Sequence, residues 1–145
     1  MPRAEFLAQF PVGQYILLGI TVENQWMLSE AKVTKEIPKG STLISPEENA
    51  IVDPDTDLVV EWELVDDPNP PESVIEFYEV VVEKDEADEI RRVLSIIMNS
   101  DETTITIPAV FLEPGRDYKV EIISEETSGN RASIEVPIST SGDDE

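Results

Sequence analysis

The chain has 145 residues, 40% of them apolar, enough for a domain with a core of its own. Its 32 acidic residues against 10 basic ones leave a net charge of −22, which opposes binding to nucleic acid or to an anionic membrane surface. It contains neither cysteine nor histidine, so disulfides, the usual zinc and iron ligand sets and histidine-activated nucleophiles are excluded within the chain.

The charge is unevenly spread. Residues 1–40 carry four basic and four acidic side chains, whereas residues 41–145 carry six basic and 28 acidic ones. That contrast marks off an N-terminal segment, residues 1–40, from the rest. The best apolar run, Ile16-Leu17-Leu18-Gly19-Ile20, is too short to cross a bilayer, so no membrane insertion is expected.

Taken in order, residues 14–22 and 26–37 are predicted as two strands joined at Glu23-Asn24-Gln25. The first is apolar on both sides, the pattern of a strand buried on both faces. Such a hairpin is marginal alone in water and must bury Ile16, Leu18, Ile20, Trp26 and Leu28 against something; it is expected to cover the outward face of the third and sixth strands, with Phe77, Val81 and Ile123, or to extend that sheet. Residues 38–41 form a linker. From residue 43 onward short strands alternate with turns. Residues 43–45 and 50–52 flank Pro46. Residues 58–64 place Leu58, Val60, Trp62 and Leu64 inward. Residues 66–71, rich in Asp and Pro, form a loop.

Residues 75–84 follow as a strand with Tyr78, Val80 and Val82 on one face, then a polar turn at 85–89. Residues 90–98 are compatible with a short helix, but their strand neighbours and turn-like flanks favour a strand. Residues 103–107 form a strand closed by Pro108. The strand at 117–124 puts Tyr118, Val120 and Ile122 inward. A turn at Ser128-Gly129-Asn130 leads to the last strand, 131–139. A polar, acidic tail is expected from residue 140, with residues 141–145 disordered.

Between the strands at 103–107 and 117–124 lies Leu112-Glu-Pro-Gly-Arg-Asp-Tyr118. This is a tyrosine-corner pattern, in which the Tyr hydroxyl bonds to the backbone a few residues upstream and pins the crossing between two sheets. Pro114 pre-sets the turn and Gly115 supplies its permissive backbone. With Trp62 in the second strand, Tyr78 in the third and the Thr-rich strand before Pro108, this order of features resembles a fibronectin type III domain over about residues 43–140. The resemblance implies an all-β, seven-stranded antiparallel immunoglobulin-like sandwich at residues 41–140, with Trp62, Tyr78, Leu112, Pro114, Gly115 and Tyr118 as structural residues and no activity of its own. The N-terminal Phe10-Pro-Val-Gly-Gln-Tyr15 loosely echoes the corner. Residues 10–37 therefore read as similar to the closing hairpin of another sandwich, with a family-specific hairpin as the alternative.

Asp53, Asp55 and Asp57 alternate like the start of a calcium loop, but Leu58 and Leu64 stand where an EF-hand needs Gly and Glu. What remains is either a solvated acidic turn or a calcium site completed by other loop acids. Paired carboxylates arise by chance in so acidic a chain, and nine aromatics, three of them assigned to the core, are too few for a sugar-binding cleft; no enzyme is expected. Trp26 packs the hairpin or anchors a ligand. Arg91 and Arg92, a basic pair in an acidic domain, are expected to relieve local repulsion rather than to form a binding site. The expected function is a non-catalytic interaction or spacer module of an exported or cell-envelope microbial protein, whose leader this chain does not carry. Its partners would be another protein or neighbouring domains of a longer chain. The alternative is a calcium-stabilised or carbohydrate-binding accessory domain of a surface enzyme; no other cofactor is expected.

Overall fold

The computed structural model describes residue 5 and residues 8–65, 74–86 and 89–142. It divides into two compact units, Met1–Glu36 and Ile37–Glu145.

In the first unit, β1 (Gly13–Ile20) and β2 (Trp26–Val33) pair antiparallel over their full length. The turn between them is closed by Thr21, whose backbone N–H donates to Gln25 O and whose hydroxyl accepts from the N–H groups of Glu23 and Gln25. Asn24 takes the left-handed conformation (φ 62°) that Asn tolerates better than most residues. Two strands supply no second layer, and the expectation that β1 is buried on both faces is not met: Ile16, Leu17, Leu18 and Ile20 are all exposed.

The second unit is a sandwich. Strands β3 (Thr42–Ser45), β5 (Leu58–Glu63) and β8 (Thr104–Ile107) form one sheet in the order β3-β5-β8. The other sheet holds β4 (Ala50–Val52), β6 (Ile75–Glu86), β7 (Glu89–Asn99), β9 (Asp117–Glu126) and β10 (Arg131–Thr140), in the order β4-β10-β9-β6-β7. Among the described residues only β4 runs parallel to its neighbour, β10. The segment around Pro46 thus carries the first strand from one sheet to the other. Residues 90–98 are strand rather than helix, bulged opposite Val82 and Glu83. The loop expected at 66–71 lies outside the described residues, as do residues 87–88 of the turn after β6.

The core follows from period-two alternation in the long strands. Leu58, Val60 and Trp62 of β5 face Tyr78, Val80 and Val82 of β6 and Tyr118, Val120 and Ile122 of β9, all buried, with Ile107, Leu112 and Ile138 completing the cluster. Each fully buried aliphatic contributes about 1.5–3 kcal/mol. Trp62 packs at a tilt on Tyr78, ring centroids 5.8 Å apart. Tyr78 keeps its polar end satisfied: its hydroxyl accepts the Val65 N–H at 2.9 Å. Leu64, expected inward, is partly exposed because β5 ends at Glu63.

At the corner, the buried Tyr118 hydroxyl accepts the N–H of Glu113 at 2.7 Å. A single 3-10 turn, Ala109–Phe111, carries the chain from β8 into it. Gly115 adopts φ 66°, a conformation that penalises any Cβ. The tail begins later than expected. Thr140 is buried as the last residue of β10, and Ser141 donates to Val52 O and accepts from Gly115 N–H. Residues 143–145 lie outside the described residues.

Tyr118→Phe removes the acceptor and leaves a Glu113 N–H unpaired at the corner. We expect it to lower unfolding free energy by about 1–3 kcal/mol without changing the denaturant m-value, as measured by urea titration.

Candidate interaction surfaces

The acids singled out in the sequence have local work. Asp53 Oδ1 accepts the Asp55 N–H at 3.0 Å, while its carbonyl accepts from Thr56, closing an Asx-type turn. Asp57 Oδ1 accepts the Ala109 N–H at 2.9 Å and so caps the 3-10 turn from across the fold. Both residues line an open cleft with Ser45, Pro46, Thr56 and Val59. Among the described residues no three carboxylates are grouped to hold a metal ion, and Asp53 and Asp57 carry the bonds of a turn and a cap. Trp26, expected to pack the hairpin, is exposed instead, opposite Ile20.

Three polar arrangements went unnoticed in the sequence. The first is Glu126, fully buried at the end of β9. Its carboxylate accepts from the Ser128 N–H at 2.8 Å, the Asn130 N–H at 3.0 Å and the Ser128 hydroxyl. Gly129, at φ 86°, lets the turn fold around it. Burial pushes the Glu126 carboxyl up, but the bonds from Ser128 and Asn130 outweigh this and hold it below the usual carboxylate range. The signal was an acid two residues before Ser-Gly-Asn.

The second is Glu113, the unspecified residue of the corner motif. Its carboxylate accepts from Lys84 Nζ at 2.8 Å, where the Lys84 side chain is nearly buried at the inward end of β6. Its carbonyl accepts from the Thr140 hydroxyl at 2.6 Å, and that hydroxyl in turn accepts from Arg116 N–H at 2.8 Å.

The third lies on the outward face of the larger sheet. Glu79 of β6 accepts from Ser95 of β7 at 2.6 Å and from Arg131 of β10 at 3.1 Å, with Arg92 of β7 3.7 Å away. Arg131 also pairs with Glu125 and lies 5.9 Å from the centre of the Phe77 ring. Arg92 reaches Glu83 at 3.6 Å as well, so it relieves local repulsion as its surroundings in the sequence suggested. Scarce cations are thus drawn into cross-strand pairs spanning four strands.

Beyond these arrangements, what the sandwich offers a partner is its sheet edges. β3, β4 and β8 are three or four residues long. β7 is eleven residues long, and no strand lies beyond it among the described residues. Val93–Met98 within it carry no charge, and Ile97 points out, 68% exposed.

No protein-family model and no curated protein sequence matches the chain. Solved structures do. The fibronectin(III)-like modules of Clostridium thermocellum CbhA match with a TM-score of 0.54 at 13% identity, over 90% of this chain and 63% of that one. The fold is that of a fibronectin type III module. The third fibronectin III domain of the human KIAA0343 protein is also similar, with a TM-score of 0.46 at 14% identity over 80% of this chain and 94% of that domain. The present chain spans less than two thirds of the CbhA structure. In fibronectin type III terms, β3-β5-β8 is the smaller sheet and β4-β10-β9-β6-β7 the larger, with the first strand shared between them.

Replacing Glu126 by Gln should cost about 1–3 kcal/mol at neutral pH, because a carboxylate accepting three bonds is exchanged for an amide. The sign follows from the depressed folded pKa: the increment is present above the unfolded value of about 4.3 and is lost as pH falls through the folded value. Thermal unfolding of wild type and Glu126→Gln should therefore converge on acidification.

Proposed function

We propose that this chain is a non-catalytic interaction module of an exported or cell-envelope protein, and that it engages another protein or a neighbouring domain by adding a strand to β7. The observation that carries this reading is the β7 edge. Natural sheets blunt exposed edges with short strands, proline, bulges or charge. Here the Arg91–Arg92 end of β7 is guarded by charge and by a bulge at Val93, whereas Leu94–Met98 is uncharged and keeps a regular register with β6. An extended segment pairing there gains backbone hydrogen bonds along the edge and places a side chain against Ile97. The acidic surface supports the rest of the reading: it keeps the module soluble and repels nucleic acid and anionic lipid, leaving selected edges for contact. Placement outside the cytoplasm is part of the same proposal.

A photo-crosslinking residue at position 97, used in the parent organism, should yield a discrete adduct that the same residue at the exposed position 59 of β5 does not. Ile97→Lys should remove the partner while shifting stability by no more than about 0.5 kcal/mol, the usual range for a surface site. Equal adducts at both positions, or a partner retained by Ile97→Lys, would overturn the β7 assignment.

A further inference from the structure

We propose that two copies of this chain associate through their hairpins, packing the face that carries Ile16, Leu18, Ile20, Trp26 and Leu28 against its twofold-related equivalent. This interface is separate from the β7 edge and stands or falls without it.

The cross-strand register places these side chains together. Leu18 lies opposite Leu28 and Ile20 opposite Trp26, while Ile16, on the same face, lies opposite Glu30 at the edge of the apolar patch. All five are between 57% and 74% exposed. A two-stranded ribbon with five large apolar groups on one face is not stable in water by itself. Both ends of the ribbon are nonetheless fixed. At one end the Tyr15 hydroxyl donates to Pro11 O at 2.8 Å, a four-residue reach comparable to the Tyr118 corner. Near that same end Gln14 donates to Glu30 at 2.7 Å across the strands, and at the other end Thr21 and Asn24 close the turn. The face is therefore presented as a formed surface, not as a collapsed strand.

Charge argues for a second copy as the occupant. β1 carries no charged residue over its eight positions, and residues 1–40 are neutral, against −22 on the remainder. Two such chains repel over their sandwiches, so the neutral hairpin is where they can approach. A twofold contact between identical faces is closed and needs no second surface. The area is sufficient. Five side chains of this size, mostly exposed, bury roughly 500–600 Å² per copy, on the order of 1,000–1,200 Å² for the pair, which reaches the lower range of specific interfaces. Stacked sheets at about 10 Å separation interdigitate side chains of this length.

The test is sedimentation velocity of the full chain across concentration and salt, with tryptophan fluorescence read in parallel. The expected species has twice the 16.2 kDa chain mass. Its dissociation constant should tighten at least tenfold between low and high sodium chloride, because screening relieves like-charge repulsion. Emission should shift to the blue as the dimer forms, since Trp62 is already buried and only Trp26 changes environment. Leu28→Glu should give a monomer. Leu17→Glu, on the opposite face of the same ribbon, and Val110→Glu, on the sandwich, should both leave the dimer intact. A monomer at every concentration and salt would overturn the proposal and leave a different chain, or this chain's own sandwich, as the occupant. A dimer that survives Leu28→Glu, or one lost equally with Leu17→Glu, would overturn the assigned face.

Discussion

The closed end of this sandwich depends on one residue, Glu113, which bonds to three strands by three different groups. Its N–H goes to the Tyr118 hydroxyl on β9, its carbonyl to the Thr140 hydroxyl on β10 and its carboxylate to Lys84 on β6. Neutral bonds of this kind contribute about 0.5–1.5 kcal/mol each, and those to a charged group more. Their effect is greater than that sum, because they converge on a turn that links the two sheets. The nearly buried Lys84 ammonium meets the Glu113 carboxylate as a counter-charge at the core boundary. Thr140 passes the constraint on: by also accepting from Arg116 it ties the last strand to the turn before β9. The end of β10 is thereby a structural element and not the start of a tail.

The same economy governs charge. With 32 acidic residues against 10 basic ones, every cation has many acids to choose from. Glu79 is nearly buried between strands and would be costly there alone. Ser95, Arg131 and Arg92 make its position tenable from both sides. Glu126 solves the same problem without a cation, using the dipoles of a tight turn. The remaining excess of acidic charge sets like-charged surfaces against one another.

The fold was legible in the sequence because alternation and turn chemistry agree with each other along most of the chain. Leu58, Val60 and Trp62, then Tyr78, Val80 and Val82, then Tyr118, Val120 and Ile122 each mark a buried face by period two. Leu112-Glu-Pro-Gly-Arg-Asp-Tyr118 identified the corner. The polar residues that hold it were not legible. Glu113, Lys84 and Thr140 are far apart in sequence, and nothing local distinguishes them from other charged or hydroxyl residues. The cap supplied by Asp57 was not legible for the same reason: its partner, the Ala109 N–H, comes from the far side of the fold. The hairpin misled, since apolar residues on both sides of β1 mark a strand that needs cover without saying what supplies it.

Native-state hydrogen exchange read at the Glu113 amide tests the central claim most directly. If Glu113 holds the closed end, its N–H should exchange only through global unfolding, with the same free energy as the amides of Val80 and Val120 in the core strands, despite lying outside any strand. Exchange of the Glu113 amide at the low free energy of ordinary loop amides, with the core strands still protected, would contradict it.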